Sequence, residues 1–175
     1  SLIEMKRIIL TSGPRGAGKS TYVRNFLEKN PRVKGISRDD LLIELFGKTS
    51  LNPYTGGHEY AYRIFFNRIK NSLNNASDLD LIVDCWNGYP KGRKDMVEQF
   101  KDYGADRILC WKFITPLDVC LNWFFKKEDS RSYSKSGIER DYELYHEKSK
   151  NISKENFDNV YLINPLQLEF PLKLN

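Results

Sequence analysis

Residues 13–20 carry the residue types and the spacing that phosphate chemistry requires. They match the pattern G-x-x-x-x-G-K-[ST] in full, and with the next residue they read Gly13-Pro14-Arg15-Gly16-Ala17-Gly18-Lys19-Ser20-Thr21. Glycines let a backbone turn tightly enough for successive N–H groups to converge on phosphate oxygens. A lysine at this position contacts the β- and γ-phosphates, and the serine hydroxyl ligates Mg²⁺. We predict that residues 13–21 bind ATP, that Lys19 is catalytic and that Ser20 is a metal ligand.

A second candidate group, Ser37-Arg38-Asp39-Asp40, stands where a short apolar run ends. Ligands of doubly wound sheets bind beyond the carboxyl ends of the strands. A kinase that acts on a hydroxyl needs a carboxylate there, which orients the hydroxyl and accepts its proton. The competing interpretation is that Ser37 or either aspartate simply caps the helix that begins here. Spacing alone does not separate the two.

Asp84 closes a clear apolar run, in the segment Asp84-Cys85-Trp86-Asn87. Acids at this strand end of P-loop enzymes act on the metal side of the site. We predict that Asp84 binds Mg²⁺ through a water molecule or holds the hydroxyl of Ser20. The alternative is an aspartate that only begins a turn.

A basic, serine-rich segment at about residues 126–137 is a candidate lid over the triphosphate. Cations that close over the triphosphate would neutralise the charge of the transferring phosphoryl group. Arg131 is the preferred catalytic cation because arginine forks onto phosphate, whereas lysine is a point charge, and Lys127 is a predicted nucleotide ligand. The alternative is a solvated basic turn.

Apolar runs alternate with helical periodicity along the chain, which predicts parallel strands joined by crossover helices. Strands are predicted at residues 6–12, 33–36, 79–83, 107–114 and 159–163, and helices at residues 19–30, 38–46, 58–75, 95–103, 116–127 and 138–149. Thr115 is the expected cap of the helix at 116–127, with Pro116 as its first residue, and residues 128–137 are expected to form a mobile loop. The predicted fold class is a three-layer α/β P-loop kinase fold with a five-stranded parallel sheet flanked by helices.

The composition indicates a globular domain with a modest basic excess. The 175 residues include 28 Lys+Arg and 23 Asp+Glu, a formal charge of +5, which suits a polyanionic ligand such as a nucleotide or nucleic acid. We expect one domain over residues 1–175, without a membrane partner because no apolar run reaches 18 residues. The three cysteines lack metal-ligand spacing, and no signal-peptide pattern is present, so a reducing, cytoplasmic setting is predicted.

Three segments together resemble the kinase domain of the bacteriophage polynucleotide 5′-kinases and their relatives. They are MKRIILTSGPRGAGKSTYVRNF, NPRVKGISRDD and VDCWNGYPKGRKDMVEQFKDYGAD. The resemblance implies transfer from ATP to a 5′-hydroxyl of DNA or RNA. It places the general base at Asp39, the loop cation and hydroxyl at Lys19 and Ser20, and the acid after the third strand at Asp84. Arg38, Asp39 and Asn87 are then predicted to bind the acceptor.

Two departures from this family concern the acceptor and the lid. The phage kinase carries an arginine three residues after its base, where this chain has Leu42, and its lid arginine aligns near Lys127, so that Arg131 would substitute by a shift. Three hypotheses therefore stand: a polynucleotide 5′-kinase, a kinase of another hydroxyl (a modified DNA base, a nucleoside or a small metabolite), and an ATP-binding regulatory module without catalysis.

Overall fold

A computed structural model describes residues 3–127 and 133–167. Within them, five strands lie at Lys6–Ser12 (β1), Lys34–Ser37 (β2), Leu79–Asp84 (β3), Arg107–Phe113 (β4) and Asn159–Ile163 (β5). Six α-helices lie at Lys19–Lys29 (α1), Arg38–Phe46 (α2), Gly57–Asn74 (α3), Pro90–Asp102 (α4), Leu117–Phe124 (α5) and Lys135–Ser149 (α6). Among the described residues, no helix combines the length and the apolar character that a membrane crossing requires.

The strands form one parallel sheet in the order β2-β3-β1-β4-β5. The central strand β1 is buried on both faces: Ile8 and Leu10 contribute to the core under α3 and α4, and Ile9 to the core under α1 and α5. This alternation follows from the two-residue period of a strand. The predicted fold class, a three-layer α/β P-loop kinase fold with five parallel strands, is confirmed.

The starts of α4 and α5 differ from their predicted positions. α4 begins at Pro90 and not at residue 95, because its first turn is polar and shows no apolar periodicity; a proline at the first helical position was the available signal. α5 begins at Leu117 with Pro116 as its N-cap residue, so the predicted cap by Thr115 is wrong. The Thr115 hydroxyl instead donates to the carbonyl oxygen of Ala17 (2.7 Å), which ties this turn to the phosphate loop.

The predicted loop at residues 128–137 extends too far toward the C-terminus. Ser134 caps α6 by accepting a hydrogen bond from the Gly137 N–H (3.0 Å), so the helix starts three residues before the predicted residue 138. A serine at the N-cap stabilises a helix by accepting a hydrogen bond from a backbone N–H of the first turn that has no partner within the helix. Part of the serine-rich segment is therefore the start of α6. Residues 128–132, which include Arg131, lie outside the described part of the chain.

Arg93 of α4 is fully buried and connects three segments of the chain: the loop after β3, the end of α6 and the segment before β5. Its guanidinium forms an ion pair with Glu155 (2.8 Å) and donates to the carbonyl oxygens of Asn87 (2.8 Å) and Lys148 (2.7 Å). We expect Arg93→Ala to lower the free energy of unfolding by about 3–5 kcal/mol, since the substitution leaves a carboxylate and two carbonyls without their donor. Urea denaturation measures this change.

Arg68→Ala is the matched control for that prediction. Arg68 also forms a two-point ion pair, with Glu44, but on the exposed surface of α3, where ion pairs contribute little to stability. If the two variants lowered the free energy of unfolding equally, the stabilising role assigned to Arg93 would be wrong.

Candidate active site

The loop between β1 and α1 has a backbone that only glycine allows at two positions. Gly16 and Gly18 have φ angles of 79° and 84°, a region that other residues rarely adopt. A Cβ at Gly16 would overlap the carbonyl oxygen of Cys120, and one at Gly18 would lie 2.7 Å from the Trp123 ring. The loop is thus pressed against α5 and turned tightly, as the predicted binding of a polyphosphate by residues 13–20 requires.

The ammonium group of Lys19 lies inside this loop. Its Nζ donates to the carbonyl oxygens of Gly13 (2.9 Å) and Pro14 (3.0 Å). Burial lowers the pKa of Lys19, the charges of Asp84, Asp141 and Asp39 oppose that shift, and the charge of Lys127 adds to it. Four charged groups from distant parts of the sequence therefore act on the ammonium, which is where the β- and γ-phosphates of a bound nucleotide are expected.

Asp84 connects the end of β3 to the phosphate loop. Its two carboxylate oxygens accept hydrogen bonds from the Ser20 hydroxyl and from the Thr11 hydroxyl, both at 2.8 Å. The strand register explains the meeting, because parallel neighbours bring their carboxyl ends to one edge of the sheet. The structure thus joins Asp84 to Ser20; their role as metal ligands stays a prediction.

A small cavity of about 60 Å³ lies beside this pair, and its lining includes Ser20, Asp84 and Asp40. Mg²⁺ is commonly held by one or two carboxylates, phosphate oxygens and water. The oxygen donors present fit such an ion. Asp40 is an addition to the predicted set that sequence reasoning assigned only to a capping role.

Asp39 lies in the first turn of α2, where its side chain is exposed. Ser37 is the residue that caps α2: its hydroxyl oxygen accepts a hydrogen bond from the Asp40 N–H (3.3 Å). Ser37 pairs with Asp84 in the register of β2 and β3, so the start of α2 adjoins the metal side of the site. Asp39 also acts on the charge of Lys19. Its role as general base remains a prediction.

Asn87, a predicted acceptor ligand, occupies a buried position that does not suit this role. It is 4% exposed, its Oδ1 accepts from the Ser12 hydroxyl (2.7 Å), and its Nδ2 donates to the carbonyl oxygens of Thr11 (2.7 Å) and Cys85 (3.1 Å). Tyr145 of α6 completes the group by donating to the Ser12 hydroxyl (2.8 Å). We correct the assignment: Asn87 braces the strand that leads into the phosphate loop.

Arg38 opens onto a cleft of about 360 Å³ between α2 and α3. The cleft is lined by Arg38, His58, Glu59, Tyr62 and Arg63. An Nη atom of Arg38 lies 3.2 Å from His58 Nδ1, and its Nε is buried without a hydrogen-bond partner in the described structure. Leu42, by contrast, is 1% exposed, so it has no access to an acceptor.

Of the predicted lid cations, Lys127 lies within the described residues. Its ammonium stands over the Phe124 ring, 5.6 Å from the ring centre, and its charge acts on Lys19. The role of Lys127 as a nucleotide ligand stays a prediction. Nothing in the structure bears on Arg131.

Arg15 makes contacts that the sequence did not indicate. It pairs with Asp141 of α6 and lies between the rings of Trp86 and Tyr133. Asp141 was missed because 126 residues separate it from Arg15 and no local motif marks it.

Comparisons with known proteins agree with this architecture. A family model described as an AAA domain matches residues 8–144. A structure of the Pnkp1/Rnl/Hen1 RNA repair complex superposes with a TM-score of 0.72 at 22% identity, over 86% of this chain and 47% of that one. Shikimate kinase from Acinetobacter baumannii, in complex with shikimate, superposes with a TM-score of 0.56 at 18% identity, over 93% of this chain and 86% of that one.

The chain spans about half the length of the RNA repair protein that it resembles (47%). At these identities the two structures indicate a shared fold. The family match covers more than half of the chain, and it includes both the phosphate loop and the start of α6. The chain belongs to the AAA domain family of P-loop proteins.

Proposed function

We propose that this chain transfers the γ-phosphoryl group of ATP to a hydroxyl acceptor, and that the acceptor is the 5′ end of a DNA or RNA strand. The observation that carries the proposal is the arrangement around Lys19. The ammonium lies in the phosphate loop, Asp84 holds Ser20 beside it, and Asp39 acts on the same charge from the start of α2.

This arrangement supplies what phosphoryl transfer needs. The acceptor oxygen forms a bond to the γ-phosphorus, the bond between that phosphorus and the bridging oxygen of the leaving ADP breaks, and Asp39 accepts the hydroxyl proton. Lys19 and the N–H groups of the loop stabilise the negative charge of the phosphate oxygens. Ser20 and Asp84 would hold Mg²⁺, which would neutralise more of that charge when bound.

The cleft of α2 and α3 supports a polynucleotide acceptor. It presents two arginines, Arg63 and Arg38 (the residue before Asp39 in the chain), and one histidine, with a single carboxylate from Glu59. Arginine binds phosphate in a two-point fashion, so the two guanidinium groups of this cleft are suited to an anionic oxygen. A phosphate on the 3′ side of the accepting nucleotide would provide that oxygen. These side chains offer the cation that Leu42 does not.

A second candidate is a kinase of a nucleoside, a modified DNA base or a small hydroxyl metabolite. The burial of Leu42 favours it, because the arginine by which the phage kinases contact the acceptor phosphate has no counterpart at that position. A regulatory module that binds ATP without transferring phosphate is the third. Labelled ATP is offered with 5′-hydroxyl DNA, 5′-hydroxyl RNA, nucleosides and shikimate. Label on a nucleic acid alone is expected; label on small molecules alone would establish the second candidate, and no label on any DNA or RNA strand would overturn the proposed acceptor.

Arg63→Ala tests the cleft directly. We expect KM for a 5′-hydroxyl oligonucleotide to rise by roughly tenfold with little change in kcat, because a cation that contacts a phosphate adds binding without entering the chemistry. The dependence of log affinity on log salt should become shallower by about one. Arg107→Ala is the control, since Arg107 is exposed at the start of β4, at the amino ends of the strands, and does not line the cleft. Equal effects of the two variants would remove the cleft from the acceptor site.

A further inference from the structure

The carboxylate of Asp141 accepts hydrogen bonds from both the backbone and the side chain of Arg15. The backbone N–H of Arg15 donates to one oxygen of Asp141 (2.8 Å), and its Nη1 donates to the other oxygen. The Asp141 side chain is 7% exposed, so the anchor is shielded from water. A residue in the middle of the phosphate loop is thus fixed in direction by α6.

Two aromatic rings flank the guanidinium of Arg15. Its central carbon lies 5.2 Å from the centre of the Trp86 ring and 5.4 Å from that of the Tyr133 ring. The Trp86 ring packs against Gly88, and a Cβ at Gly88 would overlap that ring. Ring faces attract a guanidinium and limit its motion. Trp86 follows Asp84 by two residues, so the ring that contacts Arg15 belongs to the segment directly after β3.

Arg15 is linked to the surroundings of Lys19 through Asp141. Asp141, its partner, is among the charges that raise the pKa of Lys19, as is Asp39. A guanidinium has five N–H donors. Within residues 3–127 and 133–167, the side-chain hydrogen bonds of Arg15 go to Asp141 through one nitrogen, and the side chain is 35% exposed. The remaining donors are available to a ligand of the phosphate loop.

We propose that Arg15 is a further catalytic residue that contacts the transferring phosphoryl group, and that Asp141 is the positioning residue that aims it. This proposal rests on the phosphoryl transfer proposed above. Arg15 forms and breaks no covalent bond: the acceptor oxygen–phosphorus bond forms, the bond to the leaving ADP breaks, and the proton goes to Asp39. The guanidinium stabilises the charge on the equatorial oxygens while these bonds exchange. The loop itself would thus supply a cation that the sequence alone assigned to Arg131.

Binding of ADP with Mg²⁺ and aluminium fluoride, which imitates the phosphoryl group in transfer, tests this role without any acceptor. We expect fluoride to strengthen ADP binding to the unaltered chain. Arg15→Ala should leave the Kd for ADP alone within about threefold and should lose roughly 10²-fold of the fluoride effect, the size measured for one donor to a transition-state charge. Arg140→Ala, at an exposed position of the same helix as Asp141, is the control and should behave as the unaltered chain.

Two further variants keep the test decisive if Arg15→Ala does not fold. Arg15→Lys retains a positive charge but loses the fork, and it should lose most of the fluoride effect. Asp141→Asn should weaken the effect by about tenfold, as loss of an orienting partner does. A full fluoride effect in folded Arg15→Ala or Arg15→Lys would overturn the assignment of Arg15 alone. Absence of the effect in the unaltered chain would overturn the proposed function and this assignment together.

Discussion

Asp39→Asn is expected to lower kcat for phosphoryl transfer by roughly 10²- to 10⁴-fold, the range that general-base catalysis contributes. The amide keeps the size of the side chain but cannot accept the hydroxyl proton. KM for ATP should stay within a few-fold, because Asp39 lies at the start of α2 and not in the phosphate loop. Initial rates with labelled ATP and the preferred acceptor measure both constants.

Two other aspartates make this prediction specific. Asp102→Asn, at the exposed end of α4, is the control and should retain full activity. Asp40→Asn is informative because Asp40 lines the small cavity with Ser20 and Asp84. A loss that depends on the Mg²⁺ concentration would place Asp40 on the metal side. If Asp40→Asn abolished transfer at all Mg²⁺ concentrations while Asp39→Asn kept it, the base would have to be reassigned.

Lys19→Met is expected to lower kcat by at least about 10²- to 10³-fold while leaving the protein as stable as before or more so. The catalytic loss follows because the variant removes the cation that faces the phosphates and leaves the charges of Asp84, Asp141 and Asp39 around it. Nucleotide affinity should also fall, since those carboxylates then repel a polyanion.

The expected stability follows from the sign of the pKa shift. Burial lowers the pKa of Lys19 in the folded chain below its ordinary value, so the charged form is disfavoured by folding. That penalty is present in full at any pH below the folded pKa, and it disappears as the pH rises from the folded value to the unfolded one. Methionine has a similar shape without the charge, so it avoids the penalty but loses the hydrogen bonds to Gly13 and Pro14.

Thermal unfolding at pH 7 compares Lys19→Met with the unaltered chain and with Lys101→Met, an exposed control near the end of α4. Lower activity with an unchanged or higher unfolding temperature would show that Lys19 is kept for function at some cost in stability. An unfolding temperature well below that of the control would instead make Lys19 a structural residue of the loop.

Local sequence patterns predicted the structural elements whose formation depends only on neighbouring residues. The strand, the glycine-rich turn and the helix of residues 6–29 follow from neighbouring residues, because only glycine permits the backbone at Gly16 and Gly18. The strand that ends at Asp84 was evident from its apolar run. The start of α4 was missed for the converse reason: its first turn contains no apolar spacing, and Arg93 is buried through its hydrogen bonds rather than its hydropathy.

By itself, the sequence determined the phosphate loop, the order of strands and helices, and the acids that follow β2 and β3, since each depends on residues within a few positions of one another. Only the tertiary structure decided which distant groups meet at that loop. Asp141 reaches Arg15 across 126 residues, Asn87 turns inward to brace Ser12, and α3 brings Arg63 to Arg38. The physical reason is that such meetings depend on how crossover helices pack on the sheet, which brings together side chains that no spacing along the chain relates.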